Sequence, residues 1–224
     1  MGGLRSFSKF RAFSEEVVLF EVRSLNPVQL DALREVANMG AGHAATALSA
    51  MTSERIMITV PRLTIAPLEE VPSHLSAPEE PVAAVLMNIL GDARGRALLV
   101  FPHATALRLA EILTHKAAGS CTELRALERS AITEAANILA GAYVTALGDF
   151  TGLRFLLSPP SLAVDMAQAV LTTAYAQFGN DPECVFCIET EFCMEEARDR
   201  VRGHFLLLPD LASLETILRV ARLS

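Results

Sequence analysis

The chain has 224 residues, is 51% hydrophobic, holds 12 glycines and 11 prolines, and carries a net charge of −7. That apolar content suffices for one large core or two fused half-domains, and the ordinary glycine, proline and charge content excludes disordered and fibrous classes. The acidic balance excludes a phosphate-backbone-binding surface, so no nucleic-acid partner is expected.

Residues 1–25 read as an N-terminal extension without an assigned role. Phe7, Phe10 and Phe13 recur there at helical spacing, and Val17 to Val22 suits a short strand or a continued helix. Lys9, Arg11, Glu15 and Glu16 interrupt every candidate apolar segment, so a signal peptide is not expected. Nor does any apolar run approach the roughly 18 residues that a membrane span needs. A cytoplasmic protein with no membrane insertion is the expectation. Met1-Gly2 followed by Ser6 formally fits the myristoylation pattern, which is too short to carry a claim.

The first periodic element opens at Asn26, a natural N-cap, with Pro27 at the first helical position. Leu30, Leu33, Val36, Ala37, Ala41, Ala44, Ala45 and Leu48 then trace an apolar helix face to about Met51. Arg55 to Val60 predicts a strand that Pro61 interrupts, and a second extended piece runs through Leu68. Glu69 to Pro81 is polar and proline-rich, hence a loop. Val82 to Leu90 and Arg96 to Phe101 predict strands around the turn Gly91 to Gly95, and His103 to His115 predicts a helix. A long helix follows from about Thr122 to Gly148. Strands then cover Arg154 to Leu157 and Ser161 to Val164. Val170, Ala174 and Phe178 suggest an extra helix within Met166 to Gly179. Strands Cys184 to Phe192 and Arg202 to Leu208 lead to a last helix from Asp210 to Arg222.

One polar signature occurs twice. Asp31, Glu35, Asn38 and Pro61 reappear as Ser130, Glu134, Asn137 and Pro160, each displaced by 99 positions. Gly95 and Gly203, in matching strands, lie 108 apart, so the second copy holds nine additional residues beyond Pro160. The expectation is an α+β fold: a single domain over 26–224, made of repeats 26–118 and 121–224. Each repeat reads as a helix, three or four antiparallel strands and a helix, and duplicated halves of this kind join about a pseudo-two-fold axis into one α+β domain.

On a helix, Asp31, Glu35, Asn38 and Gly42 form one continuous stripe, as do Ser130, Glu134, Asn137 and Gly141. Asn is a mediocre helix former, so its place inside both helices has no local explanation. The glycine ending each stripe either admits a foreign backbone or serves packing inside the protein. Neither stripe offers a nucleophile with an adjacent base, a recurring pair of carboxylates, a zincin motif or a phosphate-binding loop. The spacing Cys184-x2-Cys187 suits zinc. On a strand, however, those two thiols face opposite sides, and all four cysteines read as small apolar residues. No metal or cofactor site is expected in this chain. Glu and Asn remain: a carboxamide that can hold a water, and a carboxylate that can pair with a partner's cation.

Glu35-Val-Ala-Asn-Met-Gly-Ala-Gly-His-Ala-Ala-Thr-Ala-Leu-Ser49 and Glu134-Ala-Ala-Asn-Ile-Leu-Ala-Gly-Ala-Tyr-Val-Thr-Ala-Leu147 closely resemble the CheC-type bacterial chemotaxis phosphatases. The resemblance covers about residues 27–224. It implies the CheC/CheX/FliM-middle-domain-like α+β fold, in which the halves share a continuous antiparallel sheet flanked by helices, and hydrolysis of the aspartyl phosphate on a CheY-like response regulator. It further implies that Asn38 and Asn137 orient the attacking water, that Glu35 and Glu134 pair with the regulator's lysine, and that Mg²⁺ belongs to the regulator. Asp31, Pro61, Ser130 and Pro160 would support the motif. Family members often bind a CheD deamidase, which adds CheD to the candidate partners. A monomer is expected, because fused repeats supply internally the symmetry that single-repeat relatives obtain by dimerising. His43 stands where the family commonly has Asn, and Ala37 where Gly is frequent. The alternative reading is a non-catalytic regulator-binding scaffold or adaptor of the same fold.

Overall fold

The computed structural model describes residues 26–53, 55–67, 71, 80–176, 184–194 and 199–223. The N-terminal extension, most of the loop between Glu69 and Pro81, and the expected helix end at Phe178 and Gly179 lie outside the described residues. The elements run α1 (Pro27–Thr52), β1 (Ile56–Pro67), β2 (Pro81–Gly91), β3 (Gly95–Pro102), α2 (His103–Leu113) and α3 (Ala126–Thr151). They continue with β4 (Phe155–Leu157), β5 (Ser161–Met166), α4 (Ala167–Ala176), β6 (Cys184–Met194), β7 (Asp199–Pro209) and α5 (Leu211–Leu223).

Local chemistry sets the helix ends. The Asn26 side chain accepts the Gln29 N–H at 3.0 Å, and the Gln29 side chain returns the bond to the Asn26 N–H at 2.8 Å. This reciprocal pair occupies two backbone donors that a helix start leaves open, and Pro27 has no donor to lose. α3 begins at Ala126 rather than near Thr122 because Glu128 reaches back to the Arg125 N–H at 3.1 Å. It ends where Gly152 takes a left-handed conformation at φ 72°.

The strands form one antiparallel sheet in the order β1-β6-β7-β3-β2-β4, with β5 also on β2. The first strand of each half therefore pairs with the other half: β1 lies on β6, and β4 and β5 lie on β2. β3 and β7 meet at the centre. Both edge segments are broken at equivalent prolines, but differently. β1 runs past Pro61 as one strand, with a bulge between Thr59 and Arg62 that adds one residue against β6. An edge strand tolerates proline because one side of its backbone makes no ladder bonds. In the second copy, Ser158-Pro159-Pro160 separates β4 from β5 outright.

α1 and α3 pack on one face of the sheet. Leu33, Val36, Ala41, Ala44 and Leu48 of α1 join Ile132, Ala136, Leu139, Ala140 and Tyr143 of α3 in the main core. β2 and β3 are buried on both faces. Ala83, Val85, Ala97 and Leu99 belong to that core, while Val82, Ala84, Leu98 and Val100 belong to a second cluster under Val170, Leu171 and Ala174 of α4. That explains why their sequences read as unbroken apolar runs. α4 stands in the interval where the nine-residue excess was expected. Its C-terminal end is held by Arg96, whose Nη1 donates to the Ala174 carbonyl at 2.7 Å.

The approach to α3 is pinned by two buried carboxylates. Glu111 accepts the Cys121 N–H at 2.8 Å and Arg108 at 3.0 Å. Glu128 accepts Lys116 and the Arg125 N–H. The Lys116 bond holds the Glu128 carboxyl below its ordinary value. Its folded pKa is depressed, so the stabilisation is complete above the unfolded value of about 4.3 and is lost as pH falls through the folded one. Wild type should therefore exceed Glu128→Gln in urea midpoint at pH 7, and the gap should close on acidification below about pH 4.

Gly40 marks the closest approach of the two long helices. A Cβ there would lie 2.6 Å from Tyr143 Cδ1 and 3.0 Å from the Tyr143 Cα. Gly40→Ala should therefore cost about 1–3 kcal/mol of stability, read from denaturant midpoints, despite alanine's better helix propensity.

Candidate functional site

The α1–α3 packing settles where the polar stripes point. With Leu33, Val36 and Ala37 committed to the core, Asp31, Glu35, Asn38 and Gly42 fall on the outer face of α1, and all four are exposed. On α3, Ser130 and Glu134 are exposed, and Asn137 and Gly141 are half-buried. Each stripe is thus brought together on its own helix. Leu33, Val36 and Ala37 share a cavity lining with Tyr143, Val144 and Leu147, so the N-terminal half of α1 lies beside the C-terminal half of α3. The helices run antiparallel there, and the two stripes sit towards opposite ends of the pair. Pro61 and Pro160 stand off the stripes, at the breaks in the edge strands.

Glu35, Asn38, Glu134 and Asn137 make no side-chain hydrogen bond or ion pair among the described residues. Asp31 pairs with Arg34 at 3.4 Å, an exposed i,i+3 contact worth about 0.3–0.5 kcal/mol at most. Among the described residues, therefore, nothing but their helices holds Glu and Asn, which leaves their polar atoms available to a partner.

The terminal glycines settle an alternative that the sequence left open. A Cβ at Gly42 or Gly141 would meet nothing within 4 Å. Packing within the described protein does not require glycine at either position, unlike Gly40, two residues before Gly42. The distinction has a sequence signal. Gly42 recurs as Gly141, whereas the counterpart of Gly40 is Leu139.

The second site has an additional tie. Arg129 Nη2 donates to the Leu162 carbonyl at 2.9 Å, linking the residue beside Ser130 to β5. The corresponding position on α1 is Leu30. Sequence reasoning missed this bond because it depends on the fold bringing α3 over β5.

Other chemistry is scarce around the stripes. Cys187 is buried, and burial pushes its thiol up to about 12, with Glu189 adding to the shift, so no thiolate forms there near neutrality. Among the described residues, no three His, Cys, Asp or Glu side chains group as metal ligands. Two apolar hollows of about 40 and 80 Å³ lie under the helices and beside α4. Both are far below the roughly 300 Å³ of a small-molecule site, and neither adjoins a stripe residue. No described helix is long and apolar enough to cross a membrane.

Fold and surface together define a duplicated α+β module that carries the same Glu/Asn face on each of two paired helices. The CheC-like family model matches residues 28–65 and 127–164, again 99 positions apart. The chain is 29% identical over 191 residues to the CheY-P phosphatase CheC of Bacillus subtilis, covering 84% of this chain and 91% of that protein. It is 29% identical over 147 residues to the flagellar motor switch phosphatase FliY of the same organism, which covers 65% of this chain and 38% of that protein. The fold matches the crystal structure of Thermotoga maritima FliY with a TM-score of 0.72 and 24% identity, over 89% of this chain and 98% of that one. Both halves of the chain are thus similar to the CheC-like family.

Because Gly42 and Gly141 face open space, alanine at either position should preserve or raise stability, by up to about 1 kcal/mol per site from helix propensity, read from denaturant midpoints. A fall in stability at either position would show that packing holds these glycines.

Proposed function

We propose that the protein is a phosphatase that hydrolyses the aspartyl phosphate of a CheY-like response regulator, acting in the cytoplasm at two equivalent sites. The observation that carries this reading is the pairing of Glu with Asn, unbonded and outward, on both helices. The similarity to the CheY-P phosphatase CheC of Bacillus subtilis supports it.

The chemistry follows from what these groups can do. An aspartyl phosphate is already an activated acyl phosphate, so its hydrolysis needs a water placed in line with the phosphorus. The amide of Asn38 or Asn137 takes no proton near neutrality, but its C=O and N–H can together fix one water by hydrogen bonds. Glu35 or Glu134, one helical turn away, pairs with a lysine beside the regulator's phosphorylated aspartate and sets the register of the two proteins. The regulator holds Mg²⁺, which offsets charge on the phosphoryl oxygens. This chain adds orientation, and the regulator supplies the electrophile. Gly42 and Gly141 leave each stripe without a side chain where the regulator backbone comes close. CheD remains a candidate partner at a surface that these residues do not define.

The deciding experiment is phosphate release from the phosphorylated regulators of the same organism. Asn38→Ala with Asn137→Ala should reduce the accelerated release to the regulator's own decay while circular dichroism and melting stay those of wild type. Release undiminished in that folded double variant defeats the proposal. Binding of phosphorylated regulator without faster decay by wild type would make the protein an adaptor instead.

A further inference from the structure

Val28 and Leu127 are the most exposed large apolar residues on the two site helices, at 69% and 61% of full exposure. They are also equivalent, since they lie 99 positions apart like the members of the signature. Each occupies the second position of its helix, α1 starting at Pro27 and α3 at Ala126. The first turn of a helix favours acidic side chains, because its free N–H groups carry partial positive charge. An apolar residue there that stays mostly exposed among the described residues has no local explanation. Two of them, in register, have a common one.

Each also lies in line with its stripe. Val28, Asp31, Glu35, Asn38 and Gly42 follow spacings of three, four, three and four, as do Leu127, Ser130, Glu134, Asn137 and Gly141. Residues so spaced share one helix face. The apolar group therefore sits three residues before the first polar member, roughly 15 Å along the axis from Asn38 or Asn137 at 1.5 Å per residue. That distance fits within the face of one docked protein domain and is too long for contact with a phosphoryl group. The polar stripe gives orientation but little adhesion, because exposed charge pairs contribute weakly. An adjacent apolar side chain that is desolvated on docking supplies the adhesion.

We infer that Val28 and Leu127 are docking residues that seat the phosphorylated regulator at the first and second site respectively, each covered by apolar surface of the regulator roughly 15 Å from its phosphorylated carboxylate. The inference rests on the phosphatase reading and assigns these residues to KM and not to kcat.

The test uses the full chain in single-site backgrounds. With Asn137→Ala silencing the second site, Val28→Ser should raise KM for the phosphorylated regulator about five- to twenty-fold at unchanged kcat, and Leu127→Ser should do nothing. With Asn38→Ala the roles should exchange. Leu156→Ser, at an equally exposed apolar position on β4, should leave both constants at the wild-type values in either background. Unchanged KM in the matching background overturns the inference. So does a fall in melting temperature without a KM effect, which would place Val28 against the chain's own residues 1–25, or a change in sedimentation, which would make a second copy the occupant. Binding to beryllofluoride-activated regulator separates the two levels of the argument. Wild type that binds without turnover, with binding lost in Val28→Ser/Leu127→Ser, refutes the phosphatase reading and keeps the docking contact. Wild type that turns over, with binding unchanged in that double variant, does the reverse.

Discussion

Close packing of α1 on α3 constrains everything else in the molecule, because it decides which face of each helix remains for a partner. Gly40 lets the Tyr143 ring lie against the α1 backbone. That ring also stacks on Phe205 of β7 at 4.7 Å between centroids, so one contact couples both helices to the sheet. Tyr143 is buried, and its hydroxyl meets Thr190 of β6 at 3.2 Å. Once this layer closes, the stripes have no interior surface left to meet. The strand exchange reinforces the arrangement: with β1 on β6 and β4 and β5 on β2, neither half completes its share of the sheet without the other.

The geometry makes the surface chemically incomplete. Each stripe presents a carboxylate, a carboxamide and a bare stretch of helix, all on a convex face. Among the described residues, neither apolar hollow is lined by a stripe residue, and neither stripe holds a nucleophile with an adjacent base. On the phosphatase reading, a second protein brings the reactive bond and the cavity around it. On the same reading, rigid helices suit the task better than loops, since a water would have to be held within a fraction of an ångström of its line of attack.

Much of this was legible in the sequence because the chain is its own comparison. Two copies at a fixed offset separate positions that recur from positions that do not. Glu35, Asn38 and Gly42 recur, and they face outward; Gly40 does not, and it serves packing. The strand assignments held where an apolar run lay between turn residues, as at β2 and β3. Less was legible where tertiary contacts decide. Pro61 reads as a strand break, but the edge of the sheet accommodates it as a bulge. The start of α3 depends on the reach of Glu128 back to Arg125, which propensity does not register. The edge-strand exchange has no local sequence signal, since either half could pair within itself by the same pattern.

The two sites share residues but not surroundings. Asn38 is exposed on a helix capped by its own Asn26 and Gln29. Asn137 is half-buried on a helix tied by Arg129 to β5 and entered through the Lys116–Glu128 contact. β5 itself continues into α4, whose end Arg96 holds against the opposite face of the sheet. A chain of covalent and hydrogen-bonded links thus runs from the second stripe through the edge of the sheet to its back. The first stripe has no counterpart to Arg129, because Leu30 stands in its place. Duplication preserved the chemistry of the two faces, while the added helix gave one of them a mechanical connection to a distant surface.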